Sequence, residues 1–293
     1  MKEQRRYSHL PSDGDPDPGV LRRGPGFVDA HVHLKDACCL DAIVDAGVIA
    51  VRDAGTKNGV RSVSNKTIER SAAPIVVSAV WALWKKGGYG SMFGNPVETR
   101  DEIQSEILKL KRGGAGIIKV MASGMVSLKE PGMVTAGGFN SEELHFIVKA
   151  AADCGLGVMA HANGEQAIID AAAAGVRSIE HGFFMSDRAL DVMAKRSTFW
   201  VPTTGALKRA AGSGKASKEI EDFIAGLIHS HLEMILRAHG IGVPLAVGTD
   251  CVLPDLRYAE AYEEELLHFE QSGISPDGVM KIACEGGARL LGI

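Results

Sequence analysis

The strongest constraint on the fold is an alternation. Eight short apolar runs recur along the chain, at 27–34, 48–55, 74–80, 116–124, 157–162, 177–182, 198–204 and 244–250, separated by longer amphipathic segments. Short apolar runs bounded by turn residues read as strands, and apolar positions recurring with a 3.6-residue period read as helices. Strands that alternate with helices pair in parallel, because a parallel connection needs a long crossover. Eight such units within 293 residues predict an α/β fold of the TIM type, a (β/α)8 barrel. A doubly wound open sheet is the competing architecture, but no GxGxxG turn follows the first strand. Several amphipathic segments stop at Gly just before the next strand, and Asn140-Ser141 and Ser275-Pro276 have the chemistry of helix starts.

The segment from Met1 to Pro25 is rich in Pro, Gly, Asp and Arg and reads as a leader, leaving 26–293 as the barrel domain. With 45% hydrophobic and 23% charged residues, the chain can build a core. The net charge of −4 and the lack of a basic block argue against a nucleic-acid partner. No apolar run is as long as a membrane span, so a membrane partner is not expected either. The five cysteines form no CxxC pair and the N-terminus is polar, which together read as a reducing cytoplasm.

In a barrel of this kind the active site lies at the C-terminal ends of the strands. The first run, FVDAHVHL, places His31 and His33 two residues apart, on one face of a strand, where both can reach one metal ion. Lys119 sits in the fourth run, His161 in the fifth and His181 in the sixth, and the eighth ends in Thr249-Asp250. Six metal-ligand or lysine side chains therefore converge on one rim from positions spread over about 220 residues. Lys119, inside IIKVM, is the sharpest of them, because a bare ammonium in an apolar strand is costly. It is either paired with a buried carboxylate or carboxylated by CO2, the carbamate then bridging two metals.

Other candidates read as structural. His229 and His231 form a second HxH, but in a helix, where i and i+2 do not face the same way. His145, His239 and His268 are expected on solvated helix faces, and His9 in the leader. Arg52 and Asp53 read as a structural ion pair. Asp29 shares the face of His31 and His33 and reads as a supporting partner, whereas Glu180 should face away from the lumen.

These residues resemble the amidohydrolase superfamily, in its imidazolonepropionase-like and metal-dependent dipeptidase branch. The resemblance runs from about Gly24 to Ile293, through GFVDAHVHL, AVRDAG, IIKVMASG, FNSEEL, AHANGEQA, AGVRSIEHG, VGTD and GGARLLG. It implies two divalent metal ions, usually zinc. His31, His33 and Asp250 would bind the more buried ion and His161 and His181 the more exposed one. Carboxylated Lys119 and a hydroxide would bridge them. It further implies hydrolysis of a small-molecule amide, cyclic amide, dipeptide, carbamate or ester, with the hydroxide as nucleophile and Asp250 as proton shuttle.

The chain also departs from the branch. Relatives usually carry a small β-sandwich before and after the barrel, so a barrel lacking most or all of it is expected here. A contact between copies of the chain, a homo-oligomer, is one hypothesis for what covers that face. Asn163 and Tyr89 stand where relatives often have His, and with Thr203 they are the expected substrate contacts. Trp81, Trp84, Phe93 and Thr204 are further candidates for the pocket. Two other readings stay open. A mononuclear purine or pyrimidine deaminase would place a Glu three residues after the fifth-strand histidine, but Gly164 stands there and Glu165 follows. A metal-binding barrel without turnover would keep the same ligands.

Overall fold

A strand covered on both faces must be apolar or paired throughout, and β1 (Phe27–Leu34) is buried at every residue. The computed structural model describes residues 26–35, 40–57, 59, 73–214, 216–253 and 257–293. The expected leader, His9, and the amphipathic segment NKTIERSA lie outside these residues.

β1 pairs in parallel with β2 (Val48–Asp53), and β2 with β3 (Ile75–Ser78). A second sheet runs β5 (Gly94–Val97), β4 (Ala82–Lys85), β6 (Ile117–Met121), β7 (Gly157–Ala162), β8 (Ser178–His181) and β9 (Phe199–Val201), again all parallel. Hydrogen bonds join the two sheets at both seams. β3 and β4 are the two halves of one interrupted run, and the Gly116 N–H donates to Ser78 O at 2.9 Å just before β6 begins. On the other side, Trp200 and Ala246 bond across the segment 244–247, and the Ala30 N–H donates to Val247 O at 2.8 Å. The eight expected runs thus follow one another around a ring. β5, placed beside β4, is an addition that the apolar pattern does not announce.

The eighth run is irregular. Among the described residues, the segment 244–250 makes one isolated parallel bridge, Leu245 with Trp200, and the ladder with β1 begins at β10 (Cys251–Leu253). It lies so close to β1 that a Cβ at Gly248 would come within 2.8 Å of the His31 Cβ.

The helices between the strands form as their caps suggest. α1 (Leu40–Asp45) follows β1. α2 (Arg100–Arg112) and α3 (Ser141–Asp153) start in capping boxes, Thr99 with Glu102 and Asn140 with Glu143. α4 (Glu165–Ala174) and α5 (Asp187–Arg196) follow β7 and β8, and α6 (Thr204–Ala211) and α7 (Lys218–Gly240) follow β9. α8 (Tyr258–Gln271) packs against α6, α7 and α1. α9 (Pro276–Lys281), capped by Ser275, and α10 (Gly287–Leu291) flank a π-helical turn, Ile282–Gly286. The main core lies between strands and helices. A separate apolar cluster, Val126, Phe183, Leu207, Ala211, Ile220 and Ile224, joins α6 and α7 to the loops after β6 and β8. Among the described residues, no helix is long and apolar enough to cross a membrane.

Candidate metal centre

All six residues expected at the rim are brought together. β1 presents His31 and His33 with ring centroids 5.4 Å apart. The Nε2 atoms of both lie beside one oxygen of Asp250, at 3.3 and 3.2 Å. His33 directs its Nδ1 to the Gly55 carbonyl, which can only accept. Nδ1 therefore carries the proton, and the Nε2 lone pair faces the site. His31 is fixed in the same tautomer by Glu180, whose Oε2 lies 2.6 Å from Nδ1. His181 lies 5.1 Å, centroid to centroid, from His31 and 4.5 Å from His161. Its Nδ1 meets the Thr203 hydroxyl at 2.7 Å. His161 Nε2 is 2.9 Å from the Gly124 carbonyl, which also accepts from Asn163 Nδ2 at 3.2 Å.

Ligand atoms of His31, His181 and Asp250 all lie within 4.8 Å of one another. The family partition would instead group His31 and His33 with Asp250 and pair His161 with His181. In the structure His181 joins the first group, His33 flanks it through Asp250, and His161 stands beside His181.

Backbone strain collects here. His181, Thr203 and Asp250 adopt φ of 67°, 48° and 53°, a left-handed region that non-glycine residues rarely occupy. This strain explains one correction. Glu180 was expected to face away from the lumen, because its neighbour His181 faces in. Instead Glu180 is fully buried in the lumen, and its Oε1 accepts from Arg52 Nη2 at 2.8 Å and from the Ser178 hydroxyl. Ser178 and Glu180 keep the alternation, while the turned backbone of His181 returns its side chain to the same side.

Arg52 supplies a second correction. It pairs with Glu180, not with Asp53. Adjacent strand residues point to opposite faces, and Asp53 instead accepts from the Leu34 and Gly55 N–H groups and the Ser78 hydroxyl. Asp29 touches neither imidazole. Its carboxylate takes the His31 N–H, the Thr249 hydroxyl and the Tyr258 hydroxyl, and so fixes the chain on both sides of the site.

The electrostatics suit a cation. Burial lowers His31 to about 4 and His161 to about 3, with the Lys119 charge adding to the effect, and pushes His181 well below its usual value. All three rings are neutral at pH 7, the form that can donate a lone pair to a metal. Burial alone would raise Asp250, but His31 and its other imidazole neighbours hold it well below the usual carboxylate range. Glu180, likewise buried, is held at about 2 by Arg52 and His31. Lys119 is 1% exposed, and burial, partly opposed by Glu180 and Asp250, lowers it to about 8. Among the described residues its Nζ has no hydrogen-bond partner, and neither does His31 Nε2. Buried polar atoms are rarely left so, and a divalent ion with a modified lysine would satisfy both. The donor set therefore fits the metals that its chemistry suggests.

The three expected substrate contacts, Tyr89, Asn163 and Thr203, line one cavity of about 120 Å³ together with His33, Lys119 and Asp250. Phe93 also lines it, 4.5 Å from the His33 ring. Trp81 and Trp84 do not. Trp81 donates to Glu106 at 2.9 Å and Trp84 to the Gly94 carbonyl at 3.0 Å. Thr204 is buried, and its N–H is held by Glu265 at 3.1 Å. Among the remaining histidines, His145 and His239 are exposed as expected, and His229 is exposed too. His268 is not solvated but 3% exposed, and His231 stacks on Phe183 at 4.3 Å. Sequence reasoning missed Glu180 and Glu265 as organising residues. The signal for Glu180 was available in Ser178-x-Glu180, two polar residues at strand spacing in an otherwise apolar run.

Comparison with known proteins gives one family. Its model, described as the amidohydrolase family, matches residues 24–293. Ochratoxinase of Aspergillus niger is 32% identical over 152 residues, covering 51% of this chain and 32% of the relative. Imidazolonepropionase of Paenarthrobacter aurescens is 28% identical over 219 residues, covering 62% of this chain and 51% of the relative. The chain thus spans about a third to a half of the length of these two relatives. Among solved structures, A. niger ochratoxinase superposes with a TM-score of 0.77 at 23% identity, covering 91% of this chain and 71% of that one. A Xaa-Pro dipeptidase with bound methionine superposes at 0.76, also at 23%, covering 92% and 75%. These superpositions carry the (β/α)8 fold.

Proposed function

The chain belongs to the amidohydrolase family, and we propose that it is a metal-dependent hydrolase cleaving a carbon–nitrogen bond of an amide, cyclic amide or dipeptide-like small molecule. One observation supports this reading above the others. Ligand atoms of His31, His181 and Asp250 gather within 4.8 Å, beside a buried lysine amine that has no hydrogen-bond partner among the described residues. The residues that would hold two divalent ions, taken as zinc, are His31, His33, His161, His181 and Asp250, with a carbamate on Lys119 between the ions. Such ions would polarise a scissile carbonyl and acidify a water at neutral pH.

The chain's own residues supply the rest. A lysine lowered to about 8 keeps an appreciable share of neutral amine at physiological pH, and the amine is the form that adds CO2. Asp250 stays ionised and can take a proton from the attacking water and return it to the leaving nitrogen. Glu180 and Arg52 hold the His31 ring in place from behind. Tyr89, Asn163 and Thr203 stand where substrate would lie.

The deaminase alternative needs a carboxylate near His161 to shuttle the proton. Glu165 is half-exposed and paired with Arg188 at 3.1 Å, which disfavours it. The test is a hydrolysis screen of N-acyl amino acids, dipeptides and cyclic amides, on protein whose metal content has been measured. Turnover that tracks metal content supports the proposal. Metal-loaded protein that deaminates nucleobases and cleaves no amide overturns it.

A further inference from the structure

The cavity at the candidate metal centre has two unlike halves. One carries the imidazoles, Lys119 and Asp250. The other is a wall of Met121, Met125, Val126, Phe183, Leu207 and Ala210. This wall is built, not incidental. Val126, Phe183 and Leu207 belong to the separate apolar cluster that joins α6 and α7 to the loops after β6 and β8. Residues anchored in a packed cluster present a fixed surface to a ligand.

Charge is missing from this half. Among the described residues, Lys119 is the one cationic side chain lining the cavity, and it lies at the metal-ligand end. Arg209, next to Ala210, is turned away from the cavity, with Nη1 on Glu264 at 2.9 Å and Nη2 on the Thr249 carbonyl at 2.8 Å. Asn163 is held in place, since its Oδ1 accepts the Phe183 N–H at 3.1 Å and its Nδ2 donates to the Gly124 carbonyl at 3.2 Å. A substrate carboxylate seated against this wall would lose its hydration and meet no cation there, with only neutral polar groups such as the Tyr89 hydroxyl elsewhere in the lining, which is costly. The whole cavity, metal-ligand end included, measures about 120 Å³, below the roughly 150 Å³ of cavities that accept a benzene ring, which keeps the group on the wall small.

Resting on the amidohydrolase reading, we infer that the Met121–Leu207 wall is the specificity subsite. It takes an uncharged short alkyl or single-ring group attached to the scissile amide, and it discriminates against a carboxylate on that group.

Two matched pairs test this on metal-loaded protein. On the acyl side, hexanoic acid p-nitroanilide is compared with the mono-p-nitroanilide of adipic acid, which keeps a free carboxylate. On the amine side, N-acetylbenzylamine is compared with its 4-carboxy analogue. The uncharged member of at least one pair should be cleaved with a kcat/KM higher by about tenfold or more. Met125→Lys, at the half-exposed edge of the wall, should narrow or invert that ratio. Carboxylated members cleaved equally well in both pairs, or a ratio unmoved by Met125→Lys, would overturn the inference. If no amide is cleaved, the hydrolytic reading is at fault, and binding alone decides the subsite. Hexanamide should then bind more tightly than adipic acid monoamide by NMR titration, and equal binding would sink the subsite as well.

Discussion

The Nδ1–H of His31 donates to Oε2 of Glu180 across 2.6 Å, although 149 residues separate the two in the chain. The other oxygen of Glu180 accepts from Arg52, so a histidine of the candidate metal centre, a carboxylate and a guanidinium form one buried chain across β1, β8 and β2.

Glu180→Gln should therefore do two things at once. It leaves the Arg52 charge buried without its counter-ion, a loss of about 3–5 kcal/mol in comparable cases. It also loosens the His31 ring, and second partners of metal-bound histidines typically govern about 10–100-fold in metal affinity. Urea unfolding and chelator competition measure the two effects separately.

Lys119→Ala should lower metal content from about two ions per chain to one or fewer, if the lysine carbamate holds both. Elemental analysis of the purified protein reads this directly. Two ions retained in the variant would remove Lys119 from the bridging position.

Asp250→Asn should spare metal content more than turnover. Asparagine can still offer an oxygen but cannot carry a proton back and forth, and general acid–base catalysis accounts for about 10²–10⁴-fold in rate. The acid limb of the pH–rate profile should change with the substitution. Superimposable profiles would assign the shuttle to another group.

His231 gives a pH effect away from the metal centre. Its ring is 2% exposed, and burial lowers it from 6.5 to about 3. Between those values the unfolded chain binds a proton that the folded chain does not, so stability falls as pH falls. From pH 6.5 to 5.5 this one ring should cost about 1 kcal/mol. His231→Leu should remove that increment, seen as a smaller drop in the urea midpoint than the parent shows over the same step.

Particular residues show what a linear reading can and cannot deliver. The run 27–34 coincides with β1 residue for residue, because Asp29, His31 and His33 alternate with apolar residues at strand spacing. The eighth run does not become a regular strand. Its 244–247 segment divides its bonds between β9 and β1, and Asp250 turns left-handed just before the ladder resumes at Cys251. That the six rim residues come together was legible, since each lies on one of the apolar runs that line the same ring of strands. The orientation of Glu180 was not, because the strict alternation used to place it fails where His181 takes a positive φ. The Arg52–Asp53 pairing could have been rejected from the pleat alone, since neighbours in a strand do not share a face. The burial of His268 could not, because it depends on how α8 seats against α6 and α7.

The left-handed residues at 181, 203 and 250 bear on how such a chain can change. Glycine would relieve the strain at each, on the order of 1 kcal/mol per position, and would erase an imidazole, a hydroxyl or a carboxylate from the centre. Selection for robustness alone would therefore push these positions toward glycine, and consensus-style stabilisation of this barrel would be drawn to three residues of the candidate metal centre. A library meant to harden the scaffold should hold these three constant and seek its gains on the outer helices.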